Sequence, residues 1–279
     1  MKHGAKRRNT TTIWTVVISF FLSLIVFSGA FLVPWFISHW DRPESTETVG
    51  EQGHTRTLLL LLHDDDVLTG VVSICGDTRT LAVDVVGYPA QTEVIYRNAL
   101  CPLSLCYADE GADAASRLAS VNGCDFDSVI SMSVDAFSAW VSQLGTGISY
   151  TLTEPVDVLP QGDQLLTPLQ IADVLRFTDW EDPMTGQAAA HAGIVSAVID
   201  QYLNPHCDLE ATFNALTALC EQHLTIAQFT VLRPDLQTLA NANQQGLCTA
   251  TVPEGRVTGV GENKRYVLVN FHEKSEKRN

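Results

Sequence analysis

Between Lys6 and Lys264 the chain contains no lysine, and from Asn9 to Ser38 it carries no charged side chain of either sign. From Asp41 to Glu254 its only cations, histidines aside, are Arg42, Arg56, Arg79, Arg97, Arg117, Arg176 and Arg233. A surface so poor in positive charge repels polyanions, which argues against a nucleic-acid partner. No CxxC spacing and no His/Cys cluster occurs, which excludes the common zinc modules. Internal repeats and low-complexity tracts are also missing, so solenoid and disordered classes drop out.

What is present first is a greasy run, Ile13 to Phe36. As a helix it rises roughly 36 Å, enough to cross a hydrocarbon core about 30 Å thick. Lys2, Lys6, Arg7 and Arg8 precede it, and Asp41, Glu44 and Glu47 follow it. That asymmetry predicts a cytoplasmic tail (1–12), a single transmembrane helix (13–36), a polar tether (37–56) and an extracellular domain (57–272) with a charged tail (273–279). The rival is a cleaved signal peptide, because Ser28-Gly29-Ala30 suits a signal peptidase. Both place the working part outside the cytoplasm, the first as a single-pass protein of the cell membrane.

All 32 acidic residues lie at or after Asp41, against 13 of the 17 basic ones, so the segment beyond the greasy run has a balance of −19. Seven cysteines are an odd number and leave at least one unpaired; Cys101/Cys106 and Cys207/Cys220 are candidate disulfides, with buried free thiols as the alternative.

The domain reads as one α/β unit. Strands are expected at Leu58 to Leu62, Thr69 to Cys75 and Thr80 to Val86, the last two joined as a hairpin by Gly76-Asp77-Thr78-Arg79. Beyond Pro89 the chain reads as irregular to Tyr107, followed by a helix over Ala112 to Val121. Ser128 to Val134 reads as a strand, and Asp135 as the cap of a helix ending at Gly145. Gly147 to Leu152 and Val156 to Leu159 look like a strand pair. Thr167-Pro168 is a helix start, and Gln187 to Tyr202, Leu209 to Glu221 and Ile226 to Leu232 are further helices. Cys248 to Val252 and Tyr266 to Phe271 close the chain as strands. A central mixed sheet with helices on its faces follows.

Several strings within this order resemble the LytR-CpsA-Psr family of cell-envelope proteins. Val71-Val72-Ser73-Ile74 is similar to the family's "LVSI" strand and Tyr88-Pro89-Ala90-Gln91-Thr92 to "IPRDT". Leu103 to Ala108 is similar to "LNAAYA", Val134-Asp135-Ala136-Phe137 to "VDFEGF", and Leu166 to Arg176 to "LNGEQALAFVRYR". The resemblance implies an α/β/α layered extracytoplasmic domain behind one membrane helix. It also implies a greasy pocket for a polyprenyl pyrophosphate, and arginines, aspartates and magnesium that transfer a phosphorylated glycopolymer to the wall.

The cations that the resemblance calls for are largely replaced. Ala90 and Gln91 stand for the arginine and aspartate of "PRDT", Pro102 for a lysine and Thr178 for the second arginine of "RYR". Gly186 to His191 stands for "GRxxRQ", with Gln187, Ala190 and His191 at the changed positions. Arg176 alone is kept. Each charge-assisted hydrogen bond to a pyrophosphate contributes roughly 1.5–3 kcal/mol, and one arginine can supply about 10³–10⁵ in phosphoryl-transfer rate. One arginine does not replace that set.

Candidate ligand-binding residues are therefore Arg176, Gln187, His191 and Gln91. Arg176 could instead pair with Asp173, Asp179 or Asp182, and His191 could be an ordinary polar helix residue. His63-Asp64-Asp65-Asp66 is the candidate metal site, with Val67 standing where the family has its metal-binding aspartate. The first reading is a catalytically degenerate member, without cofactor, that binds a lipid-linked envelope precursor or an envelope protein. The alternative is an active envelope phosphotransferase or pyrophosphatase with its site rebuilt around Asp64, Asp65, Asp66 and Arg176 and using magnesium; a scaffold with a closed pocket is a third.

Overall fold

A computed structural model describes residues 53–243 and 246–269. The chain divides into a unit Met1–Gln52 and a unit Gly53–Asn279, of which the second is described. The expected cytoplasmic tail, membrane helix, most of the tether and the charged tail lie outside the described residues. Among the described residues no helix is long and apolar enough to cross a membrane.

Five strands build the central sheet in the order β6-β1-β2-β3-β9. They are β1 (Thr55–Asp64), β2 (Val67–Asp77), β3 (Ala82–Tyr88), β6 (Ser128–Ser133) and β9 (Cys248–Thr251). β1 and β2 are antiparallel, as are β2 and β3, while β6 runs parallel to β1 and β9 parallel to β3. The unbroken run Leu58 to Leu62 suits a strand covered on both faces. Leu60 and Leu62 join Val72, Val85, Ile130 and Met132 in one core, and Leu59 and Leu61 join Val71 and Tyr88 in the other.

The second core is closed by a hairpin of β4 (Glu93–Tyr96) and β5 (Ala99–Pro102), by α1 (Leu103–Glu110) and by α2 (Ala115–Asn122). The hairpin and the start of α1 lie where the chain was expected to be irregular, to Tyr107, whereas α2 forms where a helix was expected, over Ala112 to Val121. The hairpin's turn residues Arg97 and Asn98 both adopt positive φ, 49° and 63°, the geometry of a tight two-residue hairpin without the usual glycine.

The first core lies under α3 (Val134–Leu144), α4 (Pro168–Arg176), α5 (Thr185–Tyr202), α6 (Leu209–Thr217) and α7 (Ile226–Ala242). Ser133, not Asp135, caps α3: its hydroxyl accepts from Ala136 N at 3.1 Å, which leaves Asp135 in the first turn. The expected start at Thr167-Pro168 is a full capping box with Gln170. β7 (Ile148–Leu152) pairs with β8 (Gly162–Leu166), whereas Val156 and Leu159 only close a turn on each other. α6 ends earlier than expected, and α7 continues through Pro234 for a further two turns. β10 (Gly255–Thr258), unforeseen, pairs with β11 (Arg265–Leu268).

Candidate functional site

Strands β1 and β6 run parallel, and their carboxyl ends meet where His63 lies opposite Ser133. Ligands of α/β sheets gather at such ends. The β1–β2 connection is a two-residue turn, Asp65-Asp66, with Asp65 at φ 50°. This turn projects Asp64 beside the first turn of α3. Arg176, the last residue of α4, reaches the same point.

Its Nη2 lies 2.8 Å from Asp64 Oδ1 and 2.8 Å from Asp135 Oδ1. The pairing expected along the helix, with Asp173, Asp179 or Asp182, is replaced by two long-range partners. Arg176 donates to Asp64, and that hydrogen bond holds the Asp64 carboxyl below its usual range. The same bond, and then Asp135, holds the guanidinium still more firmly protonated against the opposing effect of burial. Two carboxylates thus face one cation.

Beside them His63 is buried, with 5% of its surface exposed, and its ring lies 5.9 Å from that of Tyr107. Its Nδ1 is 2.6 Å from the Asp65 carbonyl, which requires the proton on that nitrogen. Nε2 then points toward Glu221 Oε1 at 3.2 Å, off the line of a hydrogen bond. Glu221 arrives because the segment after α6 bridges onto β6 at Ser131 and Gln222. Tyr107 Oη and Ser131 Oγ, 3.0 Å apart, complete this wall.

The aspartate triplet does not converge. Asp65 and Asp66 are exposed in the turn and Asp64 is engaged by Arg176. Among the described residues no three His, Cys, Asp or Glu side chains gather as metal ligands. The three aspartates therefore form no common cage, and Asp64 is the one of them that faces Arg176.

Among the described residues none of the other candidates pairs with the Arg176 side chain. His191 is 1% exposed; its Nε2–H donates to the Leu175 carbonyl at 2.8 Å, and its ring covers Gly70, where a Cβ would lie 2.7 Å from Nδ1. Burial lowers its pKa to about 4, so it is neutral and enclosed. Gln187 is half-buried in the first turn of α5. Gln91 is half-buried in the link from β3 to β4, where its carbonyl accepts from Tyr266 N at 3.0 Å. Among the described residues neither glutamine side chain hydrogen-bonds to Arg176.

A second feature, whose lining no part of the sequence indicated although the resemblance implied a greasy pocket, is an apolar cavity of about 240 Å³ between the sheet and α3, α5, α6 and α7. Ile130, Trp140, Val198, Phe213, Phe229 and Leu239 help to line it, with Phe213 and Phe229 stacked at 4.1 Å. A cavity of about 150 Å³ admits benzene, so this one has room for part of a hydrocarbon chain. Among the described residues the buried Trp140 Nε1–H meets no hydrogen-bond acceptor. The charged lining residues are Arg56, Asp127 and Asp235; Arg56 Nε donates to Asp235 at 3.1 Å, with Asp127 at 3.9 Å. Arg56 and Asp64 sit at opposite ends of β1, about 26 Å apart at roughly 3.3 Å per residue.

No family model matches the chain, and no curated protein matches it. Solved structures do. A transcriptional regulator from Enterococcus faecalis superposes with a TM-score of 0.64 at 13% identity, covering 80% of this chain and 92% of that one. TagV from B. subtilis gives 0.62 at 15% identity over 80% and 93%. TagT bound to LI-WTA gives 0.62 at 14% identity over 80% and 88%. TagT and TagV are LytR-CpsA-Psr proteins, and the mixed α/β domain described here has a fold of that type.

Proposed function

We propose that the chain is a membrane-anchored envelope protein of LytR-CpsA-Psr type that binds a lipid-linked envelope precursor or a protein partner and no longer transfers glycopolymer. The fold supports the type, and a neighbour of similar fold carries a wall teichoic acid ligand. The cavity supports a greasy ligand. The observation that carries the loss of transfer is Arg176 held between Asp64 and Asp135.

Phosphoryl transfer needs preorganised cations around the equatorial oxygens. Here the one retained arginine is outnumbered by carboxylates, and the exposed Asp65 and Asp66 add further negative charge. A pyrophosphate approaching this point must break an ion pair and then face like charges. Arg56 at the other end of β1 is matched against two carboxylates in the same way.

The test is a transfer assay with a polyprenyl-pyrophosphate-linked glycopolymer, peptidoglycan and magnesium. No turnover above the protein-free control is expected. Magnesium-dependent turnover abolished by Arg176→Ala would overturn the proposal in favour of an active phosphotransferase. Solvent extraction of the purified full-length protein should also release a lipid identifiable by mass spectrometry. An empty cavity with no captured envelope protein would favour a plain scaffold.

A further inference from the structure

Cys101, in β5, and Cys106, in the second turn of α1, bring their sulfurs to 3.1 Å in the second core. Both are buried, Cys106 completely and Cys101 with 9% of its surface exposed. We propose that these two thiols form a disulfide that staples the β4–β5 hairpin to α1. Neither cysteine lines the cavity, and the inference stands independently of any lipid ligand.

The local structure shows what such a staple would do. α1 has only eight residues, its cap position is Pro102 with no side-chain cap, and no acidic residue occupies its first turn. Helices this short do not hold themselves together. The start of α1 is tied down by two backbone bonds, Leu103 N to Thr92 O at 2.8 Å and Ser104 N to Ala90 O at 2.9 Å. The hairpin before it turns through two non-glycine residues at positive φ. A covalent link between Cys101 and Cys106 joins two marginal elements at their junction. It would also fix Tyr107, the next residue, whose hydroxyl meets Ser131 on the wall beside His63.

The chemistry is ordinary thiol–disulfide exchange with a disulfide-bearing oxidant, protein or low-molecular-weight. Cys101, the one with an edge on solvent, attacks a sulfur of the oxidant as thiolate and releases one thiol. Cys106 loses its proton and attacks Cys101 Sγ, releasing the second thiol. Two electrons pass to the oxidant, and two protons leave the cysteines. Burial, with the neighbouring Cys101 sulfur, pushes the Cys106 thiol up to about 12, so the second step is the slow one and quickens while the hairpin is open. All seven cysteines are free thiols here, and Cys207 differs from Cys101 in that its sulfur neighbours the Thr212 hydroxyl, at 3.6 Å, rather than a second sulfur.

The test uses the purified full-length protein equilibrated with glutathione disulfide, then alkylated under denaturing conditions and digested with trypsin. The peptide Asn98–Arg117 contains both cysteines. It should appear unalkylated and lighter by two hydrogens, and cleavage after Leu103 or Leu105 should leave two pieces joined through sulfur. Prior reduction should let both cysteines alkylate. Because a closed loop this small gives a modest effect, the oxidised protein should melt about 4–8 °C above the reduced one. Cys101→Ser and Cys106→Ser should each abolish that difference. If either variant fails to fold, the comparison of oxidised with reduced wild type decides alone. Full alkylation of both cysteines after oxidation would overturn the proposal, and a link without any rise in melting temperature would overturn the stapling role.

Discussion

His191 shows how burial sets a pH response. Its pKa is about 4 in the fold against about 6.5 in the free side chain, because the enclosed ring cannot be solvated when charged. The unfolded chain therefore binds the proton more tightly. The stability that follows from the neutral ring is fully present above about pH 6.5 and is lost as pH falls toward 4. At pH 4.5 the loss amounts to roughly 2–3 kcal/mol. Asp64, with its carboxyl shifted downward by Arg176, contributes above its unfolded pKa of about 3.9 and loses that contribution only at lower pH. His191→Gln keeps a donor for the Leu175 carbonyl and removes the titration. Urea unfolding at pH 7.5 and 4.5 should show the wild type losing about 2–3 kcal/mol more than this variant; parallel losses would mean that the ring is hydrated. Arg176 offers a second test at this scale. Asp64→Asn with Asp135→Asn frees its charge, and affinity for a polyprenyl pyrophosphate, read by calorimetry, should rise about tenfold or more. An unchanged affinity would show that ion pairing is not what keeps the anion away. The sequence reading grouped Asp64 with Arg176 only as parts of one metal-assisted site; that they pair, and that Asp135 joins them, was not legible, because spacing along one helix shows only neighbours on that helix. Asp64 is 112 residues away.

At the scale of elements, sequence pattern succeeded where local chemistry is self-contained. The capping box at Thr167 and the uninterrupted strand Leu58 to Leu62 carry their own signals, and both formed. The β4–β5 hairpin was missed because Arg97-Asn98 lacks the glycine that announces such a turn, and α7 was cut short because Pro234 reads as a stop. Its cost is one backbone bond, which burial of Leu239 and Ala240 further along the helix offsets. Packing between elements was equally hidden. A Cβ at Gly87 in β3 would lie 2.0 Å from the Ala188 carbonyl oxygen of α5, and backbone cannot turn aside as a side chain can. Gly87→Ala should therefore cost about 3 kcal/mol, seen as a lower urea midpoint with an unchanged slope. A cost below about 1 kcal/mol would mean that α5 shifts freely on the sheet.

For the whole molecule, the alternation of strands and helices made the layered class readable, but the walls of the greasy pocket that the resemblance implied were not. The cavity's walls come from β1, β2, β6, α3, α5, α6 and α7, and no window of sequence contains them together. A packed core normally leaves few voids larger than water, so a 240 Å³ apolar space is a departure that a bound chain would relieve. The unpartnered Trp140 indole is a second departure, since a buried donor without an acceptor costs roughly 1–3 kcal/mol. Trp140→Phe keeps a ring and removes the orphan, so the lipid-free protein should gain about 1 kcal/mol. Val198→Phe bears on function more directly. Val198 is 2% exposed and lines the cavity from α5, so the added ring occupies the space a hydrocarbon would take. If the space exists to hold a lipid, this variant should fold with equal or higher melting temperature, and its solvent extract should contain none of the lipid released from wild type. A variant that folds and still carries the same lipid would place that lipid elsewhere. The cavity would then be a packing defect.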